Sequence, residues 1–170
     1  MHDQHPDHQH PDLQHLGLAD LVLGVDHVGI AVGDLEAALD WWTTTVGLVV
    51  LHREENPDQQ VVEVMLAIPD DQPERATPTQ LQLLSPLSDD SAIARFLQRR
   101  GPGLQHIAFT VSDIEIATAR LVARGGRLLY PEARTGTALS KINFIHPRDT
   151  GGVLVELVQP CANSEMRCPD

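Results

Sequence analysis

Two histidines, His27 and His106, occupy matching points of a repeated segment at an offset of 79 residues. Residues 26–38 (DHVGIAVGDLEAA) align without gaps on residues 105–117 (QHIAFTVSDIEIA), placing Val32 on Val111, Asp34 on Asp113 and Glu36 on Glu115. A second pairing, at an offset of 74, sets Gln82 in TQLQLLSP against Glu156 in GVLVELVQP, with Leu83 on Leu157 and Pro86 on Pro160. A lone polar residue at the centre of an apolar strand is costly unless something pairs with it. A pseudo-twofold axis between the copies would gather His27, Gln82, His106 and Glu156. Two imidazoles, an amide oxygen and a carboxylate make a borderline-hard N/O donor set for a divalent metal, with positions left open for water or substrate. A buried polar network without metal is the alternative.

Glu63 is a further candidate. In QVVEVML it shares a strand face with Val61 and Met65, so an acid stands in an apolar row and is expected to have a raised pKa, suited to proton transfer near neutrality. The alternative places it toward solvent, with Val62, Val64 and Leu66 as the only core face.

The elements that must position these groups follow from hydrophobic periodicity. Each repeat begins with a short strand and a helix opened by Asp34 or Asp113. Leu35, Ala38, Leu39 and Trp42 form one apolar stripe before Gly47, and Ile114, Ala117 and Leu121 form the other before Gly125 and Gly126. Strands are expected near residues 48–53, 60–67 and 79–84, and again near 127–130, 140–145 and 152–158. The linker SDDSAIARFLQRRGPG holds a short helix capped by Asp89 or Asp90 and ended at Gly101 to Gly103. The predicted fold is α+β: two tandem βαβββ modules forming a curved mixed sheet around a metal-containing cleft. Strand alternation puts Val28, Ile30 and Val32 under the first helix and His27 with Val25, Gly29 and Ala31 on the opposite face. Likewise Ile107, Phe109 and Val111 pack below, and His106 lies beside Ala108 and Thr110. Small residues next to each imidazole leave room for a ligand.

The 170 residues, 42% hydrophobic and 21% charged, suffice for one well-buried domain. We expect a disordered His-rich arm over 1–20, a single domain over 21–160 (modules about 22–86 and 103–160) and a tail over 161–170. Of nine histidines, five (His2, His5, His8, His10 and His15) fall in the arm, where no rigid neighbours would make them selective ligands. A net charge of −12 argues against nucleic acid and anionic membrane as partners. No apolar run is long enough to span a membrane and no signal peptide is evident, so a cytoplasmic home is expected, with Cys161 and Cys168 as reduced surface thiols. An anionic substrate would need local cations, for which Arg95, Arg99, Arg100, Lys141 and Arg148 are available, although RFLQRR also reads as a solvated helix face.

Residues 22–160 resemble the vicinal oxygen chelate superfamily and, within it, the methylmalonyl-CoA epimerases. The likeness rests on DHVGIAV, LHREENPDQQVVEVMLA, TQLQLLSPL, GLQHIAF and INFIHP followed by GGVLVELVQ. It implies His27, Gln82, His106 and Glu156 as metal ligands, Glu63 as the catalytic glutamate, a divalent metal with Co2+ foremost and Mn2+, Ni2+ or Zn2+ as alternatives, methylmalonyl-CoA as substrate, and a homodimer. Glu156 is named as a second acid/base for the opposite face of the substrate carbon. The segment TGTALSKINF has less glycine before its Asn than many members and is expected near the substrate. Three rivals share the fold: a glyoxalase I-type lyase acting on a thiol adduct, which typically has Glu where Gln82 stands; an extradiol dioxygenase, whose open positions Gln82 would fill; and a metal-free binding protein.

Overall fold

A computed structural model describes residues 17–69 and 79–161. The His-rich stretch up to residue 16 and Cys168 lie outside the described residues.

The first module contains β1 (Val22–Ala31), α1 (Leu35–Trp41), β2 (Val49–Asn56), β3 (Val61–Ala67) and β4 (Gln80–Pro86). The linker helix α2 (Ala92–Arg100) leads to β5 (Gly103–Val111), α3 (Ile114–Ala123), β6 (Arg134–Thr135), β7 (Lys141–Ile145) and β8 (Leu154–Gln159). The strands form one curved mixed sheet in the order β2-β3-β4-β1-β5-β8-β7-β6. Its centre is the antiparallel pair β1 and β5, and each of these pairs in parallel with the last strand of its own module, β4 or β8. The predicted α+β arrangement of two βαβββ modules is borne out. The four strands carrying the paired residues are adjacent, so residues far apart in sequence meet at the middle of the sheet.

The side chains of Asp34 and Asp113 accept hydrogen bonds from the Ala37 and Ile116 amides at 3.0 and 2.9 Å, satisfying first-turn donors of α1 and α3. After Trp41 the first helix widens into a π-helical turn over Trp42–Val46, and Gly47 ends it at φ 83°, a left-handed conformation that glycine adopts without steric cost. Leu35, Ala38, Leu39 and Trp42 pack with Ile30, Val64, Leu66 and Leu83 on one side of the sheet, while Ile114, Ala117 and Leu121 pack with Val111, Ile145 and Leu157. With both helices on the convex side, the concave side is left for the site.

Two details differ from expectation. Ser91, not Asp89 or Asp90, caps α2 by accepting from the Ala94 amide at 3.0 Å. The following Ile93, Phe96 and Leu97 pack on Ala31, Val61 and Leu84, so α2 closes one end of the trough. The strand expected near residues 127–130 is reduced to a single bridge, Leu128 with Ile145. Pro131 follows, with no backbone N–H to offer a ladder, and pairing resumes only at the two-residue β6.

Candidate metal centre

His27 and His106 project from β1 and β5 into the trough and are 4% and 3% exposed. Their Nε2 atoms stand 2.9 Å apart, and Glu156 Oε2 lies 3.3 Å from the first and 3.1 Å from the second. Room for this approach comes from Gly29, the cross-strand partner of His106: a Cβ at Gly29 would lie 2.2 to 2.7 Å from atoms of the imidazole. The room expected beside the histidines is thus taken, at Gly29, by the facing imidazole itself.

Hydrogen bonds fix the tautomers. Asp26 Oδ1 lies 2.8 Å from His27 Nδ1, and a carboxylate only accepts, so Nδ1 donates and Nε2 turns a lone pair inward. Gln105 Oε1, 2.5 Å from His106 Nδ1, does the same for the second ring. Two lone pairs and a carboxylate oxygen then converge on one point, an arrangement that needs a cation between them. Without metal that cation is a proton: burial opposes charge on His27, but the hydrogen bonds of Asp26 and Glu156 outweigh it and raise its pKa to about 9. Burial would push the Glu156 carboxyl up, but His106 and His27 hold it down at about 2.

Gln82, on β4 and 3% exposed, completes the set from the first module. Its Nε2 donates to Glu63 Oε2 at 2.8 Å and to Thr137 Oγ1 at 3.3 Å, while its buried Oε1 has no hydrogen-bond partner. An orphaned acceptor of this kind is costly. Together with the His27–His106–Glu156 cluster, whose donor atoms lie within 4.8 Å of one another, it fits a divalent metal held by N and O ligands.

Glu63 is 3% exposed and faces the same trough, so both faces of β3 are buried. Besides Gln82 it accepts from Asn56 Nδ2 at 3.2 Å and from the Thr137 hydroxyl. Burial raises its pKa, with the nearby charges of Glu156 and Glu54 adding to the shift and the Thr137 and Asn56 hydrogen bonds opposing it. Glu63, Gln82, His106, Glu156 and Thr137 line a cavity of about 290 Å3, whose far wall is Ile142, Phe144 and Tyr130.

Thr137 and Asn56 were not singled out from sequence. Thr137 lies in the segment expected near the substrate, where a 3-10 turn holds Ala138 at φ 53° and Leu139 at φ 61°. Left-handed conformations are where glycine costs least, so Ala138 and Leu139 hold this turn where glycine would carry no penalty. Among the described residues the other two histidines do other work: His52 Nε2 is 2.6 Å from Glu54 Oε2, and His146 Nδ1 accepts from the Arg148 amide to cap a turn. Of the cations considered for an anionic substrate, Arg95 borders the cavity, whereas Lys141 pairs with Glu115 on the exposed surface.

Residues 26–144 match the family model of the Glyoxalase/Bleomycin resistance protein/Dioxygenase superfamily. The chain belongs to this superfamily. Within it, the chain is 37% identical over 137 residues to the ethylmalonyl-CoA/methylmalonyl-CoA epimerase of Cereibacter sphaeroides, covering 79% of this chain and 96% of that one. The crystal structure of methylmalonyl-CoA epimerase from Mycobacterium tuberculosis superposes with a TM-score of 0.78 at 48% identity, over 87% of this chain and 95% of that one. A methylmalonyl-CoA epimerase in complex with methylmalonyl-CoA and NH4+ superposes with a TM-score of 0.76 at 42% identity, over 84% and 96% of the two chains. This superfamily member is therefore a close homologue of the methylmalonyl-CoA epimerases, and among its described residues no helix is long and apolar enough to cross a membrane.

Proposed function

We propose that the protein is a methylmalonyl-CoA epimerase, an isomerase that interconverts the (R) and (S) forms by moving the proton at C2. The observation that carries this reading is a buried carboxyl with a raised pKa, Glu63, sharing one cavity with His106 and Glu156 of the His27–His106–Glu156 cluster. The substrate carbon lies between a carboxylate and a thioester, so its proton is acidic and its conjugate base spreads charge onto oxygen. A divalent cation held by His27, Gln82, His106 and Glu156 supplies Lewis-acid stabilisation of that charge. Nitrogen and oxygen donors suit several divalent metals; the likeness to the epimerases puts Co2+ first, with Mn2+, Ni2+ or Zn2+ as alternatives.

Glu63 takes the proton from C2 or returns it. Its raised pKa brings the carboxyl closer to neutrality, where both protonation states are accessible. Three donors from different elements, Asn56, Gln82 and Thr137, aim it into the cavity. Gln82 links the two parts of the site, because its amide nitrogen holds Glu63 while its oxygen stays free for the cation. Ile142 and Phe144 keep the opposite wall apolar, which strengthens electrostatic interactions inside. Glu156 remains the candidate second acid/base: both imidazoles meet its Oε2, and its Oε1 is the atom proposed for the opposite face. A homodimer is supported by the exposed Val49, Val50 and Leu51 on the edge strand β2, and a cytoplasmic location by the likeness to the bacterial epimerase of Cereibacter sphaeroides.

Proton NMR of methylmalonyl-CoA in heavy water with the Co2+-loaded protein tests the assignment. Loss of the C2 proton signal without any other product is expected. Absence of exchange, with turnover of a glutathione hemithioacetal instead, would replace it by the glyoxalase I-type reading.

A further inference from the structure

The two imidazoles of the centre are held by unequal partners, and the inequality is built on matched backbone irregularities. Between β1 and β5, Val25 faces Phe109 and Val28 faces Ile107, so β1 has an extra residue around Asp26 and His27. Two residues on, Gly29 faces His106 and Ile30 faces Leu104, so β5 has an extra residue at Gln105. These are β-bulges, which re-aim side chains at the point where they occur. Regular alternation would send Asp26 and His27 to opposite faces of the sheet. The bulge instead allows Asp26 Oδ1 to reach the Nδ1 of its own neighbour, His27, and the second bulge does the same for Gln105 and His106.

The repeat sets Asp26 against Gln105, a carboxylate against a neutral amide. Asp26 is fixed from across the pseudo-twofold axis: its Oδ2 accepts from Thr110 Oγ1 of β5 at 2.6 Å, and its side chain is 23% exposed. The Thr110 hydroxyl and His27 Nδ1 thus both donate to Asp26, one to each oxygen, and His27 is left with an inward lone pair on Nε2. A carboxylate behind an imidazole fixes its orientation and increases its electron donation, whereas an amide gives orientation with much less donation.

We infer that Asp26, held by Thr110, is a positioning residue that makes His27 the stronger of the two imidazole ligands, with Gln105 supporting a weaker His106. The inference rests on the metal-centre reading above and goes beyond it by ranking the ligands and naming what ranks them. Its test is the Co2+ dissociation constant by chelator competition, measured across pH and corrected for the proton that the metal displaces, together with the visible ligand-field spectrum of the Co2+-loaded protein. Asp26→Asn, close to isosteric, should weaken Co2+ binding by about 10- to 100-fold and shift the spectrum. Thr110→Val, which leaves the carboxylate in place but unanchored, should weaken it less and shift the spectrum in the same direction. Failure of the unaltered protein to bind Co2+ would overturn the metal-centre reading itself. If the unaltered protein binds Co2+ and Asp26→Asn binds within twofold with an unchanged spectrum, the inference alone is wrong. Should Asp26→Asn not fold, Thr110→Val decides, and wild-type affinity and spectrum in that variant would overturn the inference.

Discussion

Glu63 and Ile142 occupy matching places in the two modules. Glu63 lies two residues before Met65, the partner of Gln82 across β3 and β4, and Ile142 lies two residues before Phe144, the partner of Glu156 across β7 and β8. One half of the trough therefore presents a buried carboxyl, the proposed proton-transfer group, where the other presents a buried hydrocarbon. The same contrast runs through the ligand set, with Gln82 against Glu156 and Asp26 against Gln105. The repeated backbone brings His27, His106 and Glu156 to one point with Gln82 lining the same cavity as His106 and Glu156, and the unrepeated side chains give the site a direction. A symmetric site would offer the same group to both faces of a carbon; this one offers Glu63 to one face and needs something other than its counterpart for the second.

The contrast is broken most severely at Glu63. Glu63→Gln keeps the side-chain shape and should reduce deuterium exchange at C2 by about 10²- to 10⁴-fold, the range for loss of a general base, while metal content measured on the purified protein stays unchanged. Full exchange in this variant would move proton transfer to the other half of the trough, where Glu156 is the only acid in the cluster.

Metal uptake should expose the imbalance between the imidazole supports. His27 is protonated up to about pH 9 in the metal-free protein, and a metal must displace that proton. Apparent affinity should therefore rise about tenfold per pH unit from neutrality toward pH 9 and level off beyond it. Titration of Co2+ at pH 7, 8 and 9 with proton release measured in parallel checks the sign; affinity flat across this range would place the proton elsewhere. The contribution of this raised pKa to the stability of the metal-free fold has the opposite pH dependence: it is complete below the ordinary value of 6.5 and lost as pH rises through about 9.

The halves also differ in how tightly they pack. At Gly29 an added methyl would meet the His106 ring, whereas the matching position of the second module already holds a methyl in the fully buried Ala108. Gly29→Ala should destabilise the fold by about 1–3 kcal/mol through overpacking and lower metal content, whereas Ala108→Gly should cost about 0.5–1 kcal/mol and leave metal bound. Chemical denaturation and metal analysis of the two variants separate these outcomes. Equal behaviour would show that the close approach at Gly29 is not what seats His106.

These contrasts mark what could be read from the chain and what could not. His27, His106, Gln82 and Glu156 were legible because each depends on strand alternation and on one symmetry relation, both of which are written in short stretches of sequence. Glu63 was legible as an acid in an apolar row, though the same pattern allowed an exposed position until packing showed both faces of β3 buried. Asp26 was not, because alternation assigns it to the wrong face and only the bulge between Val25 and Val28 turns it toward His27. The lost strand near residues 127–130 is a case of local propensity overridden by Pro131 and by the turn it begins. Thr137 depends on a loop whose left-handed residues, Ala138 and Leu139, are types that no propensity argument would place there.

That loop gives the finest test of the asymmetry. Thr137 belongs to the second module, yet its hydroxyl donates to Glu63 of the first, so the apolar half contributes to the proton-transfer group through one hydrogen bond. The bond favours the ionised carboxyl and opposes the rise caused by burial. Thr137→Val preserves the shape and removes the donor, so the Glu63 pKa should climb further. Proton abstraction requires the ionised form, and its acid limb should therefore move to higher pH. On that acid limb the exchange rate should fall about two- to tenfold, the scale of a net hydrogen-bond contribution of about 0.5–1.5 kcal/mol, and recover as pH is raised above it. A rate that falls equally at every pH would mean that Thr137 places the substrate rather than tuning the carboxyl. An unchanged rate would confine the chemistry of the site to the first module and the four donors at the axis.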